Sequence, residues 1–384
     1  MDISVMSWNM AGAKLFEQLD PEPGSAAGRY TAAFRKVWED SIGNWLVSPN
    51  QNQPDQNRPD IILLQECIGF DDLSNRAPHR WQSGSTILGE IFSGYECFFF
   101  PAVTSHNNPH PGKWNRYVEG GSVTNCIPAH VDIQQGYGIC VRNGISNRKL
   151  WVPQADAQNI SADADLADSS CLSCFEPISI TTGLYLGQRN TEPRLVIMGR
   201  AKLQSDRESR YLNYLNIHLN TLSGEREGNV RLNRRASASR LRQIELILDN
   251  IVSAYQETTR YRIPAGVEQS QRDIWIIGGD FNTTPDSEEM RMIRQAGFID
   301  TIPDKRIEDA NPDSFFHNRT GSKWSLHDSK TPAINVDYIF CGLEQFTFAA
   351  DGLNTTGSRR PFRPCFDDPA FASDHAVLFA KIKL

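Results

Sequence analysis

No apolar run in this 384-residue chain approaches the roughly 20 residues that a membrane-crossing helix needs. No cationic leader with an apolar centre follows Met1, which opens directly into a strand-like run, so the sequence predicts a cytoplasmic protein. Positive charge is in deficit. The chain has 39 Lys and Arg against 46 Asp and Glu, a net charge of −7. The molecule as a whole therefore has no basic field to draw in nucleic acid, and a polyanion must be gripped by a local Arg/Lys patch or through bound metal. Cysteine is sparse, at 8 residues. Cys67, Cys140 and Cys341 sit inside apolar runs, where they read as small buried hydrophobes. Cys171 and Cys174 form one CxxC without a second pair or a nearby His, which falls short of a four-ligand zinc site. Internal repeats and clear linkers are lacking as well. What is present is a globular composition, 39% hydrophobic with 19 Phe and 8 Trp, sufficient for a sizeable core.

Strand-like runs recur at Ile3–Trp8, Ile61–Gln65, Cys97–Phe100, Tyr137–Arg142, Arg194–Arg200, Tyr211–Leu219, Ile274–Gly279, Val336–Cys341 and Ala376–Leu384. Helical periodicity marks Arg29–Leu46 and Leu232–Tyr255, and a short helix is predicted over Ser287–Gln295, with Gly297 as its stop. Strands and helices mixed from end to end predict an α/β or α+β layered fold. Three polar segments, at about 101–135, 153–192 and 352–369, look like insertions in one domain spanning 1–384.

Six short polar motifs punctuate the apolar runs in order: SWNMAG, IILLQEC, LNIHLNT, IIGGDFNTTP, NVDYIF and ASDHAVLF. In Tyr211–Leu219, Leu215, Ile217 and Leu219 alternate with Asn216, His218 and Asn220, so one face is polar and is predicted to line a cleft. The alternative is a solvated face with one ordinary His. In IIGGDFNTTP, Gly278 and Gly279 admit close approach of other groups. Asp280 and Asn282 lie two apart and in extended geometry share a side, where a carboxylate and a carboxamide can polarise and hold a water. An Asx turn capping the next helix competes with that reading. Glu66 ends a buried run, where a carboxylate is costly unless paired or bound to metal, and Mg²⁺ takes such oxygens. Asn9 ends the first strand, either as a turn residue or to orient Glu66 or contact the metal. Asp337 paired with His375 would fix the imidazole tautomer and present the ring to a phosphate oxygen, leaving Asp374 for metal or water. A structural His–Asp pair is the bland alternative. As a set, these groups suit phosphoryl hydrolysis, which asks mainly for positioning and electrostatic stabilisation.

The ordered set Asn9, Glu66, His218, Asp280–Asn282, Asp337 and Asp374–His375 resembles the endonuclease/exonuclease/phosphatase superfamily, over nearly the whole chain. The resemblance implies a DNase I-like four-layer α/β sandwich, two packed mixed β-sheets flanked by helices, with the site at one sheet edge. It implies Glu66 as the main Mg²⁺ ligand, with Asn9 and Asp374 near it and Mn²⁺ as a substitute. It implies that Asp280 activates water with Asn282, that His375 oriented by Asp337 contacts the scissile phosphate, and that His218 is a phosphate contact or acid. Tyr137 resembles the phosphate-contacting Tyr of apurinic endonucleases, although the spacing after it differs and a packing Tyr is the alternative.

Arg231, Arg234, Arg235, Arg240 and Arg242 crowd the long helix after His218, as phosphate-gripping forks or as a solvated face paired with Glu225, Glu227 and Glu245. With Asn220 and Tyr137, Arg231 and Arg235 are the candidate substrate contacts. The expected activity is Mg²⁺-dependent hydrolysis of phosphodiester bonds by in-line water attack on DNA or RNA. The alternative is a small-molecule or lipid-headgroup phosphate, which the net negative charge favours. No protein partner is deducible.

Overall fold

The computed structural model describes residues 2–12, 25–39, 58–72, 84–103, 131–143, 148–150, 178–179, 194–204, 209–220, 230–253, 274–302, 307–308, 334–342, 353–359, 373, 375 and 377–383. Its strands form two mixed seven-stranded sheets. The first holds β1 (Asp2–Asn9), β2 (Ile61–Asp72), β3 (Tyr95–Val103), β4 (Val131–Arg142), β11 (Ile307–Glu308), β13 (Leu353–Arg359) and β14 (Val377–Lys383), in the order β11-β13-β14-β1-β2-β4-β3. The second holds β5 (Arg148–Leu150), β7 (Leu195–Gln204), β8 (Ser209–His218), β9 (Ile274–Asp280), β10 (Phe298–Asp300) and β12 (Asp337–Gly342), in the order β10-β12-β9-β8-β7-β5, with β6 (Ile178–Ser179) paired to β7. At the centre of each sheet two strands run parallel, β1 with β2 and β8 with β9.

Side-chain parity sorts these strands into layers. Leu212 and Tyr214 of β8, Ile274 and Ile276 of β9, and Ile339 and Cys341 of β12 join the core shared with the first sheet. The intervening Leu215, Ile217, Trp275, Ile277, Tyr338 and Phe340 pack instead against helix α3 (Val230–Ile247) and helix α4 (Glu288–Gln295), through Ile244, Ile247, Met290 and Ile293. On the far side, α1 (Ser25–Val37) and α2 (Gly84–Ile91) cover the first sheet, with Phe34 edge-on to Trp8 at 5.3 Å and Ile87, Leu88 and Ile91 buried. The result is the four-layer arrangement expected, two mixed sheets between pairs of helices. Among the described residues, no helix is long and apolar enough to cross a membrane.

The nine expected strands are all present, and several are longer than their apolar runs because polar residues continue the ladders. Helix α2 was not anticipated: its eight residues include Gly84 and Gly89, which lower helix propensity, and packing of its apolar side carries it. Helix α4 agrees with expectation, capped by Ser287 Oγ accepting from Met290 N–H at 3.2 Å and closed at Gly297, φ +91°. The long helix ends in a π-helical turn, Leu248–Ser253, which sequence periodicity did not reveal.

Four readings require correction. Cys140 is not a lone buried hydrophobe: it faces Cys97 across β3 and β4 and forms a disulfide with it, whereas Cys67 and Cys341 are buried free thiols. Residues 131–135 and 353–359, assigned to insertions, are strand residues of β4 and β13. Most of the remaining insertion residues, with Cys171 and Cys174, lie outside the described residues. The polar face of β8 does not line a cleft along its length. It faces the first sheet, where Asn216 is fully buried, receives Gln65 Nε2–H at 2.7 Å and donates to the carbonyls of Leu64 and Gly138 at 2.8 and 2.9 Å. Arg240 is not a phosphate fork: it is buried and paired with Glu289 at 2.9 Å, fastening α3 to α4.

Candidate active site

Parity and register together place the chemistry. His218, Asp280 and Asp337 share the parity of the residues that face the first sheet, and they are direct cross-strand neighbours on β8, β9 and β12. The first sheet brings Asn9 from the end of β1. By strict alternation Gln65 faces the second sheet and Glu66 would face the helices. A bulge between Leu64 and Cys67 intervenes, and Glu66 takes φ +53°, which swings its side chain round to Asn9. A non-glycine residue in this left-handed region costs free energy that the surrounding packing must offset, and such costs cluster at functional sites. The bulge is held from outside: the Tyr30 hydroxyl on α1 accepts the Ile68 N–H at 3.1 Å, and burial pushes that phenol well above its ordinary pKa.

Asp280 has no exposed surface. Its Oδ1 accepts the Asn282 N–H at 2.8 Å, and its Oδ2 accepts Asn9 Nδ2–H at 3.0 Å. The same Asn9 amide donates to Glu66 Oε1 at 3.2 Å, while Asn9 Oδ1 accepts the Ala11 N–H at 2.9 Å. His375 Nδ1 lies 3.0 and 2.9 Å from the two oxygens of Asp337, so the ring N–H is on Nδ1. The Nε2 atoms of His218 and His375 then converge on Asp280 Oδ2, at 3.6 and 3.7 Å. His218 Nε2 is also 3.8 Å from Glu66 Oε1, and Glu66, with 17% of its side chain exposed, is the member of the group open to solvent.

The turn after β9 is fixed from several sides. Gly279 holds φ +149°, and a Cβ there would overlap the backbone of Ile217, so the approach of β8 to β9 requires glycine. Phe281 packs 5.4 Å from both Tyr338 and Phe340. Asn282, at φ +49°, donates from Nδ2 to the Leu219 carbonyl at 3.1 Å. Its Oδ1 is a buried acceptor with no hydrogen-bond partner among the described residues. Such an atom next to an oriented carboxylate is suited to receive a water.

The other sequence candidates are distributed as follows. Tyr137 is buried, takes the Leu195 N–H at 3.2 Å, donates to the His218 carbonyl at 3.4 Å and sets its ring edge-on to the His218 imidazole. Asn220 sends its carboxamide to Ser239 and its backbone N–H to Gln243, both on α3. Arg231 is exposed and Arg235 half-buried on the first turns of α3. Arg242 is paired with Glu245 at 3.1 Å on an exposed face. Asp374 lies outside the described residues. Sequence reasoning missed Arg194, a buried guanidinium 2.8 Å from His218 Nδ1. An Arg opening an apolar strand is costly unless paired, and that was the available signal.

A cation fits this donor set. Asp280 is wholly buried, one amide ties it to Glu66, and Asp337 is its strand neighbour. Ligand atoms of Glu66, His218 and Asp280, and of Asp280, Asp337 and His375, lie within 4.8 Å of one another. Carboxylates gathered this closely repel unless positive charge is shared among them, and an oxygen-rich set suits a hard divalent ion.

Among curated proteins, none matches this sequence. Similar solved structures include the human Nocturnin catalytic domain with bound sulfate, at 14% identity and TM-score 0.46, covering 99% of this chain and 93% of that one. Truncated Caenorhabditis elegans TDP2 is 14% identical with TM-score 0.46, covering 100% and 98%. An endonuclease/exonuclease/phosphatase from Bacteroides vulgatus is 12% identical with TM-score 0.45, covering 100% and 99%. The model of the endonuclease/exonuclease/phosphatase family matches residues 6–375. With the first five motifs and Asp374–His375 of the sixth inside that span, the chain belongs to the endonuclease/exonuclease/phosphatase family, whose members hydrolyse phosphoester bonds.

Proposed function

We propose that this protein hydrolyses phosphodiester bonds in nucleic acid by in-line attack of water, without a covalent enzyme intermediate, and with Mg²⁺ or Mn²⁺ as its resident cation. The observation that carries this reading is the convergence of two imidazoles on one oxygen of the buried Asp280, itself tied through Asn9 to Glu66. Glu66 would hold the cation, with Asn9, through the second lone pair of its Oδ1, and Asp374 as further ligands. When bound there, it supplies Lewis-acid neutralisation of charge developing on the phosphoryl oxygens.

The protein groups divide the remaining work. Asp280, aimed by the Asn282 N–H, holds the attacking water and takes its proton, while Asn282 Oδ1 accepts the water's second hydrogen. His375, oriented by Asp337, donates through Nε2 to a phosphate oxygen in its protonated form. His218 approaches the same Asp280 oxygen from β8. Tyr137 and Asn220 act at one remove, holding the end of β8 in place. Arg231 and Arg235 are the proposed grip on phosphates flanking the scissile one.

A small-molecule or lipid-headgroup phosphate is the second reading, favoured by the net charge of −7. Incubation with Mg²⁺ and a panel of plasmid DNA, single-stranded DNA, RNA and inositol phosphates separates the two. Cutting of a nucleic acid, with an affinity that falls steeply as salt rises, supports the first. Turnover of the small phosphates alone replaces it with the second.

A further inference from the structure

The two imidazoles approach Asp280 with different partners behind them, and those partners dictate different tautomers. Behind His375 stands a carboxylate, Asp337, which can only accept, so Nδ1 of His375 carries hydrogen. Behind His218 stands Arg194, whose Nη1 lies 2.8 Å from His218 Nδ1. A guanidinium has five N–H donors, no acceptor, and keeps its proton in proteins. A contact this short is therefore a hydrogen bond only if His218 Nδ1 presents a lone pair. The ring then carries its single hydrogen on Nε2, the atom 3.6 Å from Asp280 Oδ2 and 3.8 Å from Glu66 Oε1.

We propose that Arg194 is a positioning residue that fixes His218 as the Nε2–H tautomer, making it a dedicated hydrogen-bond donor to a phosphate oxygen rather than a proton-transfer acid or base. The surroundings support a built arrangement. Arg194 is buried. It enters directly before Leu195, whose N–H donates to Tyr137, and the same hydroxyl donates to the His218 carbonyl. One phenol thus ties the start of β7 to the end of β8, where Val196 pairs with Ile217, and sets guanidinium and imidazole side by side. With its only hydrogen on Nε2, His218 has no proton to relinquish short of becoming an anion and no lone pair facing the site. What it offers a transition state is a fixed dipole. His375 retains the exchangeable Nε2 position, so each imidazole has one task.

The part of this inference that concerns turnover rests on the phosphoesterase reading, whereas the tautomer itself does not. Nitrogen-15 NMR of the histidine-labelled protein, with His218 assigned by loss of its signals in His218→Gln, reads the tautomer directly. The expected spectrum has a bare Nδ1 and a protonated Nε2. Arg194→Met is expected to release that preference and to lower kcat per folded molecule about 10–100-fold, the scale seen when an outer partner of an active-site ligand is lost, with KM little changed. Arg194→Lys, which keeps a cationic donor, restores both readouts. Because a glutamine amide can replace a neutral donor but not a proton carrier, His218→Gln retains roughly tenfold or more activity over His218→Ala. A protonated Nδ1 in the native protein overturns the proposal, as does an Arg194→Met variant with native tautomer and native kcat. If Arg194→Met does not fold, the native spectrum and the Lys variant decide the matter. Absence of phosphodiesterase activity would sink the earlier reading while the spectrum still judged the tautomer.

Discussion

Asp280 has its two oxygens committed by neighbours, Oδ1 to a backbone N–H and Oδ2 to the Asn9 amide that also reaches Glu66. Replacing it by Asn preserves shape but cannot take a proton. We expect Asp280→Asn to lower kcat by about 10²–10⁴-fold, the usual worth of a positioned acid or base, with the circular dichroism spectrum unchanged. His375→Ala removes the proposed donor to the developing charge and is expected to cost about 10²–10³-fold in kcat. Near-native turnover in either variant would contradict the assigned roles. At this scale the motif GGDFNTTP was informative, because Gly-Gly before an acid announces a tight backbone approach at a chemical group. Arg194 was half legible: a cation opening an apolar strand asks for a partner, but which strand lies beside β7 to supply it is encoded in no local pattern.

Among the elements, β2 and the α3–α4 pair carry the most consequence. The bulge that turns Glu66 inward could not be read from IILLQEC, since a plain strand and a bulged one share the same apolar run. What signals it is the paradox of a carboxylate whose parity faces helices. Tyr30→Phe deletes the acceptor for Ile68 N–H, and that buried donor left unsatisfied costs about 1–3 kcal/mol. The expected readout is a lower Tm, together with a higher Mg²⁺ concentration for half-maximal activity if Glu66 holds the cation. Arg240→Ala strands the buried Glu289 without its partner and should cost about 3–5 kcal/mol in thermal or denaturant unfolding. An unchanged unfolding midpoint would mean that α3 and α4 are fastened by their apolar contacts alone. Burial pushes the Cys341 thiol up to about 12 and raises that of Cys67 as well, so both should resist thiol reagents in the native protein.

For the molecule as a whole, two sheets must meet in one register before any of this chemistry exists. Asn216 and Gln65 supply a buried polar lock between them, and a wrong pairing would leave their amides and the carbonyls of Leu64 and Gly138 unsatisfied. The layered class followed from alternating strands and amphipathic helices, and the order of the six motifs anticipated a shared site. Which residues of the polar β8 face reach that site did not follow. Asn216 and His218 are two apart on one face, yet only the end of the strand escapes the inter-sheet core. The central claim is that this buried cluster of carboxylates and imidazoles works with a divalent cation on a phosphodiester. The most direct measurement is the initial rate of bis-nitrophenyl phosphate hydrolysis with Mg²⁺, after EDTA, and after Mg²⁺ is restored, with Asp280→Asn alongside. Turnover is expected to vanish with EDTA, to return with Mg²⁺ and to be about 10²–10⁴-fold lower in the variant. A rate indifferent to EDTA, or equal in the variant, would contradict the central claim.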